Sequence, residues 1–254
     1  VLAIVSAMQE EIEALLAALA AVEVAEHGRR RYYRGTLHGA SVTAVFSRWG
    51  KVAAAATVTE LISSFETTEI IFSGVAGAVH PGLAIGDIVI GTRLIQHDLD
   101  ASPIFPRYEV PLLGKAVLEA DVQLSKELLV AASAFISEDL AASVTAQERV
   151  RFRIGAPKIV EGLIGSGDKF FASRAEIAAL RERLPEVLCV EMEGAAVAQV
   201  CEEYAIRFGV LRTISDSADE NSVHDFPGFL RGVAGQYSAG ILRRLLQERL
   251  RKSS

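Results

Sequence analysis

The chain has 254 residues, half of them apolar and 23% charged, enough for one large buried core or two small ones and too apolar for a disordered or collagen-like chain. Its 26 basic and 32 acidic side chains leave a formal charge of −6, which argues against nucleic acid and anionic membranes as main partners. Cys189 and Cys201 form no CxxC pair and read as free core thiols of a cytoplasmic protein. The longest apolar run, Ala14 to Val22, falls short of the ~18 residues of a membrane span, and no signal peptide is legible.

Val1–Ser6 is a short apolar run of the kind that forms a buried strand. A helix opens at Met8–Glu13, with Glu10 and Glu11 suited to its positive end. Tyr32–Leu37 and Ser41–Ser47 read as strands around a His38-Gly39 turn. Lys51–Ser64 is Ala-rich and helical. Glu69–Ser73 is a buried strand running into Gly74-Val75-Ala76-Gly77, and Gly86-Asp87 turns the chain into the strand Ile88–Ile95. From His97 to Gly114, three prolines stand among Ile104, Phe105 and Tyr108, an ordered loop too apolar to be left in water. Asp121–Ile136 is an amphipathic helix. Lys158–Ile164 is a strand leading to Gly165-Ser166-Gly167-Asp168, Arg174–Arg183 a helix, and Val187–Val190 a strand. Then come Glu191-Met192-Glu193 and the small-residue helix Gly194–Tyr204. Phe208–Ile214 is a strand ending at Ser215-Asp216. Phe226–Leu250 is a long helix whose basic stretch Arg243–Lys252 reads as a solvated end.

Strands and helices alternate without linker or repeat, so the expectation is a single α/β domain over residues 1–254, a central twisted mixed sheet flanked by helices. Ligands of such sheets bind at the carboxyl ends of strands. Polar or glycine residues stand there in five places: Met8–Glu11, Ser73–Gly77, Gly165–Phe171, Glu191–Glu193 and Ser215-Asp216.

Each of these has an ordinary reading beside the chemical one. Val75, Ala76 and Gly77 belong either to a tight strand-to-helix turn or to backbone lying close to a small ligand. Glu191 and Glu193 alternate, so they share a face; they are a solvated strand end, or a glutamate that accepts both hydroxyls of a vicinal diol. Asp216, beside Ser215, is a helix N-cap or a general acid. Phe170 and Phe171 are core, or a face for a purine base. The histidines have no ligand spacing: His27, His38 and His80 read as surface residues, and His97 and His224 as loop residues. No metal or organic cofactor is expected.

Six segments stand in a specific order: Ala7-Met8-Gln9-Glu10-Glu11, Gly50-Lys51-Val52-Ala53-Ala54, Gly86-Asp87-Ile88-Val89, Ser166-Gly167-Asp168-x-Phe170, Val190-Glu191-Met192-Glu193 and Ile214-Ser215-Asp216. Together they resemble the bacterial 5′-methylthioadenosine/S-adenosylhomocysteine nucleosidases, of the nucleoside phosphorylase/hydrolase superfamily, from Ala3 to about Phe229. The resemblance implies a nucleoside phosphorylase-like fold and hydrolysis of an adenine nucleoside with a 5′-thio substituent. It implies that Glu11 positions and deprotonates water, that Arg212 braces that region, and that Glu193 holds the ribose hydroxyls with Met192 packed on the sugar. It makes Asp216 the acid at adenine N7, with Ser215 beside it, stacks Phe170 on adenine, and has the Phe171 backbone read the base's edge. Phe226 covers the 5′ substituent, and in a homodimer Phe105 closes the partner's 5′ pocket. Two positions depart from the family. Val75 stands where a serine is frequent, and Trp49 where an aliphatic residue precedes the glycine. Trp49 is either a large core residue or a wall of the 5′ pocket. A futalosine-type hydrolase and a purine nucleoside phosphorylase of the same fold are the alternatives.

Overall fold

A computed structural model describes residues 1–218 and 222–253. In chain order the elements are β1 (Leu2–Ser6), α1 (Gln9–Ala17), β2 (Ala20–His27), β3 (Arg30–Leu37), β4 (Ala40–Phe46), α2 (Lys51–Ser64), β5 (Glu69–Ala78), β6 (Ile88–Gln96) and β7 (Val117–Glu119). There follow α3 (Val122–Ala134), α4 (Leu140–Ser143), α5 (Ala146–Arg151), β8 (Ile159–Ser166), α6 (Arg174–Arg183), β9 (Val187–Glu191), α7 (Gly194–Glu203), β10 (Arg207–Asp216), α8 (Ser222–Phe229) and α9 (Gly235–Ser253).

The strands form one mixed ten-stranded sheet in the order β10-β6-β8-β9-β5-β1-β4-β3-β2, with β7 on β6 and a further pairing of β10 with β5. That extra pairing closes β5, β10, β6, β8 and β9 into a ring. β5 runs parallel to β1 and β10. It meets β9 antiparallel only at Gly77–Val190 and Ala78–Cys189, so the carboxyl ends of β5 and β9 cross. One face carries α1, α3 and α9 around Ile12, Leu128 and Leu242. The other carries α2 and α7, where Ala54, Ala195 and Ala198 let the helices approach closely over the sheet. Both cysteines are free and buried. No described helix is long and apolar enough to cross a membrane.

Four readings need correction. β2 is a strand in a stretch to which the sequence reading assigns no element. It is an edge strand exposed along most of its length, so no burial alternation marks it. The glycine segment is not a turn, since β5 continues through it to Ala78. The C-terminal helix begins at Ser222, placing the backbone of His224 on α8 rather than in a loop, and a π-helical turn at Leu230–Ala234 interrupts it. The added residue lets Gly235 lie on α1, where a Cβ would come within 2.8 Å of the Glu10 carbonyl oxygen. A second π-helical turn, Phe135–Asp139, likewise follows α3. The basic end of α9 is not simply solvated: Arg243 and Arg244 pair with Asp139, and Arg249 with Glu69 and Glu127.

Candidate active site

A pocket of about 600 Å³, open at its mouth, lies where the carboxyl ends of β1, β5, β9 and β10 meet. Its lining includes Glu11, Trp49, Val75, Ala76, Gly77, Phe170, Phe171, Met192, Glu193, Arg212, Ser215, Asp216 and Phe226. Phe105 is not among the lining residues; it stands half-buried in the loop between β6 and β7.

The start of α1 holds Glu11. Its Oε2 accepts the N–H groups of Ala7 and Met8, both at 2.9 Å, and its Oε1 accepts the N–H of Val75 at 3.0 Å. Those N–H groups come from the two residues just before α1 and from strand β5, so the carboxylate is fixed from two sides. It is 2% exposed. Burial pushes its pKa up to about 7, against the opposing pull of the Arg212 guanidinium and the three N–H groups. A carboxyl tuned to that range is suited to exchange a proton with water.

The glycines of β5 make room for the carboxylates. A Cβ on Gly74 would stand 2.6 Å from Glu11 Oε1, and one on Gly77 would stand 3.1 Å from Asp216 Oδ1 and 2.9 Å from Ala218 Cβ. Only a residue without a side chain lets β5 pass both acids this closely.

β9 ends at Glu191, and Glu193 is already the residue before α7, with a backbone outside the strand region. The two glutamates therefore do not alternate along one strand face, and their surroundings differ. Glu193 Oε1 accepts the Gly50 N–H at 2.8 Å. Its pKa is pushed up to about 8, first by burial and then by the nearby Glu191 charge. Glu191 pairs with Arg212 at 2.6 Å, accepts the Gly194 N–H at the start of α7, and receives the Ser166 hydroxyl. Arg212 is 1% exposed; it also donates to the carbonyls of Phe72 and Leu211 and lies over the Phe72 ring. Its Nε has no hydrogen-bond partner among the described residues. Breaking a buried pair of this kind typically costs about 3–5 kcal/mol, because the remaining charge stays buried.

Glu191 is the site residue to which sequence reasoning gave no role of its own. The signal was present in Arg212, a lone cation in an apolar strand that needs a buried carboxylate opposite it. Nothing in the spacing says which carboxylate supplies it.

Asp216 closes β10 and is 3% exposed. Its Oδ2 accepts the Ser215 hydroxyl at 2.7 Å and its Oδ1 the Ala218 N–H at 2.8 Å. It is thus held inside the pocket by its own turn, and it does not stand at the head of α8.

The mouth is aromatic. Trp49 is 51% exposed, which removes the core reading, and meets Phe226 edge-on at 5.9 Å. Phe226 meets Phe170 at 5.6 Å. Phe170 is partly exposed, whereas Phe171 is buried against His97 at 5.3 Å. His97 is likewise buried rather than in an open loop, and burial lowers its pKa. Among the described residues, no group of three or more His, Cys, Asp or Glu is arranged to hold a metal.

The family model described as the phosphorylase superfamily matches residues 1–247. A 5′-methylthioadenosine/S-adenosylhomocysteine nucleosidase of Shewanella denitrificans is 33% identical over 245 residues, 96% of this chain and 98% of that one. The solved structure of the corresponding nucleosidase of Neisseria meningitidis, in complex with methylthio-immucillin-A, superposes with a TM-score of 0.83 at 33% identity, covering 97% and 98% of the two chains. A futalosine hydrolase of Helicobacter pylori superposes with a TM-score of 0.82 at 30% identity, covering 97% of each chain.

Proposed function

The chain belongs to the phosphorylase superfamily, and on that premise we propose how its pocket works as a nucleosidase. The enzyme hydrolyses the N-glycosidic bond of 5′-methylthioadenosine and S-adenosylhomocysteine, releasing adenine and a 5-thio-substituted ribose. 5′-Deoxyadenosine is a further candidate substrate. The observation that carries the mechanism is the set of three buried carboxyl groups, Glu11, Glu193 and Asp216, around one pocket.

Cleavage of the bond to adenine passes through a ribosyl cation, so three things must be supplied: a proton for the leaving base, negative charge near the sugar, and a placed water. Asp216 protonates adenine at N7, with Ser215 orienting its carboxyl. Glu193, aimed by the Gly50 N–H, accepts the ribose hydroxyls while Met192 packs on the sugar, and its charge favours the cation. Glu11 takes the proton of the attacking water. Arg212 holds that region through Glu191. Phe170 stacks on adenine, the Phe171 backbone reads the edge of the base, and the backbone of Val75, Ala76 and Gly77 borders the reacting atoms. The whole chain, 1–254, acts as one nucleosidase domain. In this reading it works in the cytoplasm, where its two thiols stay reduced.

Water is preferred to phosphate as nucleophile for a stated reason. The cations lining the pocket are Lys169 and Arg212, and each already has a carboxylate: Lys169 pairs with Glu176 and Arg212 with Glu191. A phosphate dianion would also face Glu11. Adenine and free thioribose are therefore expected in phosphate-free buffer; a ribose 1-phosphate product formed only with phosphate present would make the enzyme a phosphorylase. Futalosine belongs in the same substrate panel, and faster release of base from it than from the thio-nucleosides would favour the futalosine-type alternative.

We also propose a homodimer. Ile104 and Leu112 of the Phe105 loop are 84% and 93% exposed, an apolar tip suited to cover the partner's 5′ pocket. Sedimentation of the assayed preparation is expected to give a dimer, and a fully active monomer would refute it.

Trp49 sets the 5′ preference in this proposal. Its half-exposed ring beside Phe226 offers a thioether a sulfur–aromatic contact worth ~0.3–1.5 kcal/mol, and it crowds longer substituents. A higher kcat/KM is expected for methylthioadenosine than for adenosylhomocysteine, and Trp49→Ala should narrow that ratio. Equal losses on the two substrates would deny Trp49 the role.

A further inference from the structure

Three side chains outside the pocket lining tie its two walls together. The Lys51 ammonium donates to Asp98 Oδ1 at 2.7 Å and to Gln96 Oε1 at 3.0 Å. Asp98 Oδ2 accepts the N–H of Asp168 at 2.9 Å, and Asp168 Oδ1 accepts the N–H of Lys51 at 2.8 Å. The bonds form a closed circuit, Asp98 to Lys51 to Asp168 and back. It joins the exit of β6, the first residue of α2 and the loop after β8.

There is no slack in the circuit. Gly50 has a φ of +93°, and a Cβ there would stand 2.9 Å from Asp168 Oδ1. A Cβ on Gly167 would stand 2.4 Å from His97 Cε1 and 2.9 Å from Asp98 Cγ. The β8 loop therefore rests directly on His97-Asp98. Burial opposes a charge on Asp98, but the Lys51 ammonium and the Asp168 N–H outweigh it and hold the carboxyl below the ordinary aspartate range. The walls it joins are those of the pocket: Trp49 and the Gly50 N–H on Glu193 stand on one side, Phe170 and Phe171 on the other.

We propose that Asp98 is a positioning residue for nucleoside binding, which, through Lys51 and Asp168, sets the distance between the aromatic loop and the turn that carries Trp49. The proposal rests on the nucleosidase reading for its substrate. Asp98 acts on binding more than on chemistry, because the two groups that move protons, Glu11 and Asp216, are held by bonds outside the circuit, while Glu193, aimed by the Gly50 N–H, meets the ribose hydroxyls in the ground state as well as in the transition state. Loss of a contact made equally in the ground and transition states raises KM and leaves kcat.

Trp49 is the chain's single tryptophan and stands two residues from Lys51, so its fluorescence reports the position of the turn. The experiment measures methylthioadenosine hydrolysis, and adenine binding by Trp49 fluorescence, for wild type, Asp98→Ala, Asp98→Asn, Lys51→Met and the Asp98→Ala/Lys51→Met pair. For Asp98→Ala, KM and the adenine Kd should rise about tenfold, kcat should stay within about threefold, and Trp49 emission should shift. Asp98→Asn, which keeps an acceptor for the Asp168 N–H, should fall between. The double variant should be little worse than Asp98→Ala alone. Wild-type KM and emission in Asp98→Ala, or a kcat loss with KM unchanged, would overturn the proposal. Should Asp98→Ala fail to fold, Asp98→Asn and Lys51→Met carry the same comparison. A wild type that binds adenine yet cleaves no nucleoside sinks the nucleosidase reading alone, and the adenine titration of the variants still decides the role of Asp98.

Discussion

Asp216→Asn is expected to lower kcat by at least about a hundredfold with the protein still folded, since proton transfer from a placed acid is typically worth ~10²–10⁴-fold. Asparagine matches the shape of aspartate and keeps an oxygen for the Ala218 N–H, which now bonds Oδ1 at 2.8 Å. What it cannot do is hand a carboxyl proton to the departing base. The site keeps that carboxyl out of bulk water: Asp216 is 3% exposed, at the end of β10, with Ser215 on its second oxygen. Steady-state kinetics with a thermal melt of the same variant decide the matter. A variant that keeps most of its kcat would make Asp216 a structural residue rather than the acid.

Glu11→Gln should be at least as costly, ~10²–10⁴-fold in kcat, because the amide cannot take a proton from water. The pH dependence gives a second readout. Glu11 must be ionised to act as base, and burial pushes its pKa up to about 7. Below that pH the group is protonated, so kcat/KM should fall with falling pH. Glu193, pushed up to about 8, must also be ionised to accept the ribose hydroxyls, so its loss adds to the same acid limb. The wild-type limb should therefore approach the steepness of two protons, and the residual activity of Glu11→Gln that of one. An unchanged limb would show that Glu11 does not titrate in the rate-determining arrangement.

Much of this site could be read before any tertiary structure. The carboxylates stand where apolar runs stop, and apolar runs of that length are strands whose carboxyl ends collect ligands. Met8–Glu11, Glu191–Glu193 and Ser215-Asp216 stand out for that reason; the choice of Glu11 and Glu193 within them comes from the family resemblance, and the structure brings Glu11, Glu193 and Asp216 to one pocket. Trp49 was open between core and pocket, because a large aromatic ring suits either, and only its half-exposed position beside Phe226 separates them. β2 is hidden in the sequence because an exposed edge strand carries no alternation of burial.

The sequence by itself determined the element order over most of the chain, the α/β class, and which acids stand at or just beyond the ends of apolar runs, since each of these is written in local periodicity and in the residues that stop it. Tertiary structure alone decided how the acids are tuned and held. Arg212 meets Glu191 across 21 positions, Val75 bonds Glu11 across 64, and Lys51 reaches Asp168 across 117. It also gave Gly74 and Gly77 their purpose, which is to clear space for carboxylates from other segments rather than to turn the chain. The physical reason is that backbone preference is local. The energy of a buried charge depends instead on which distant groups the fold sets beside it.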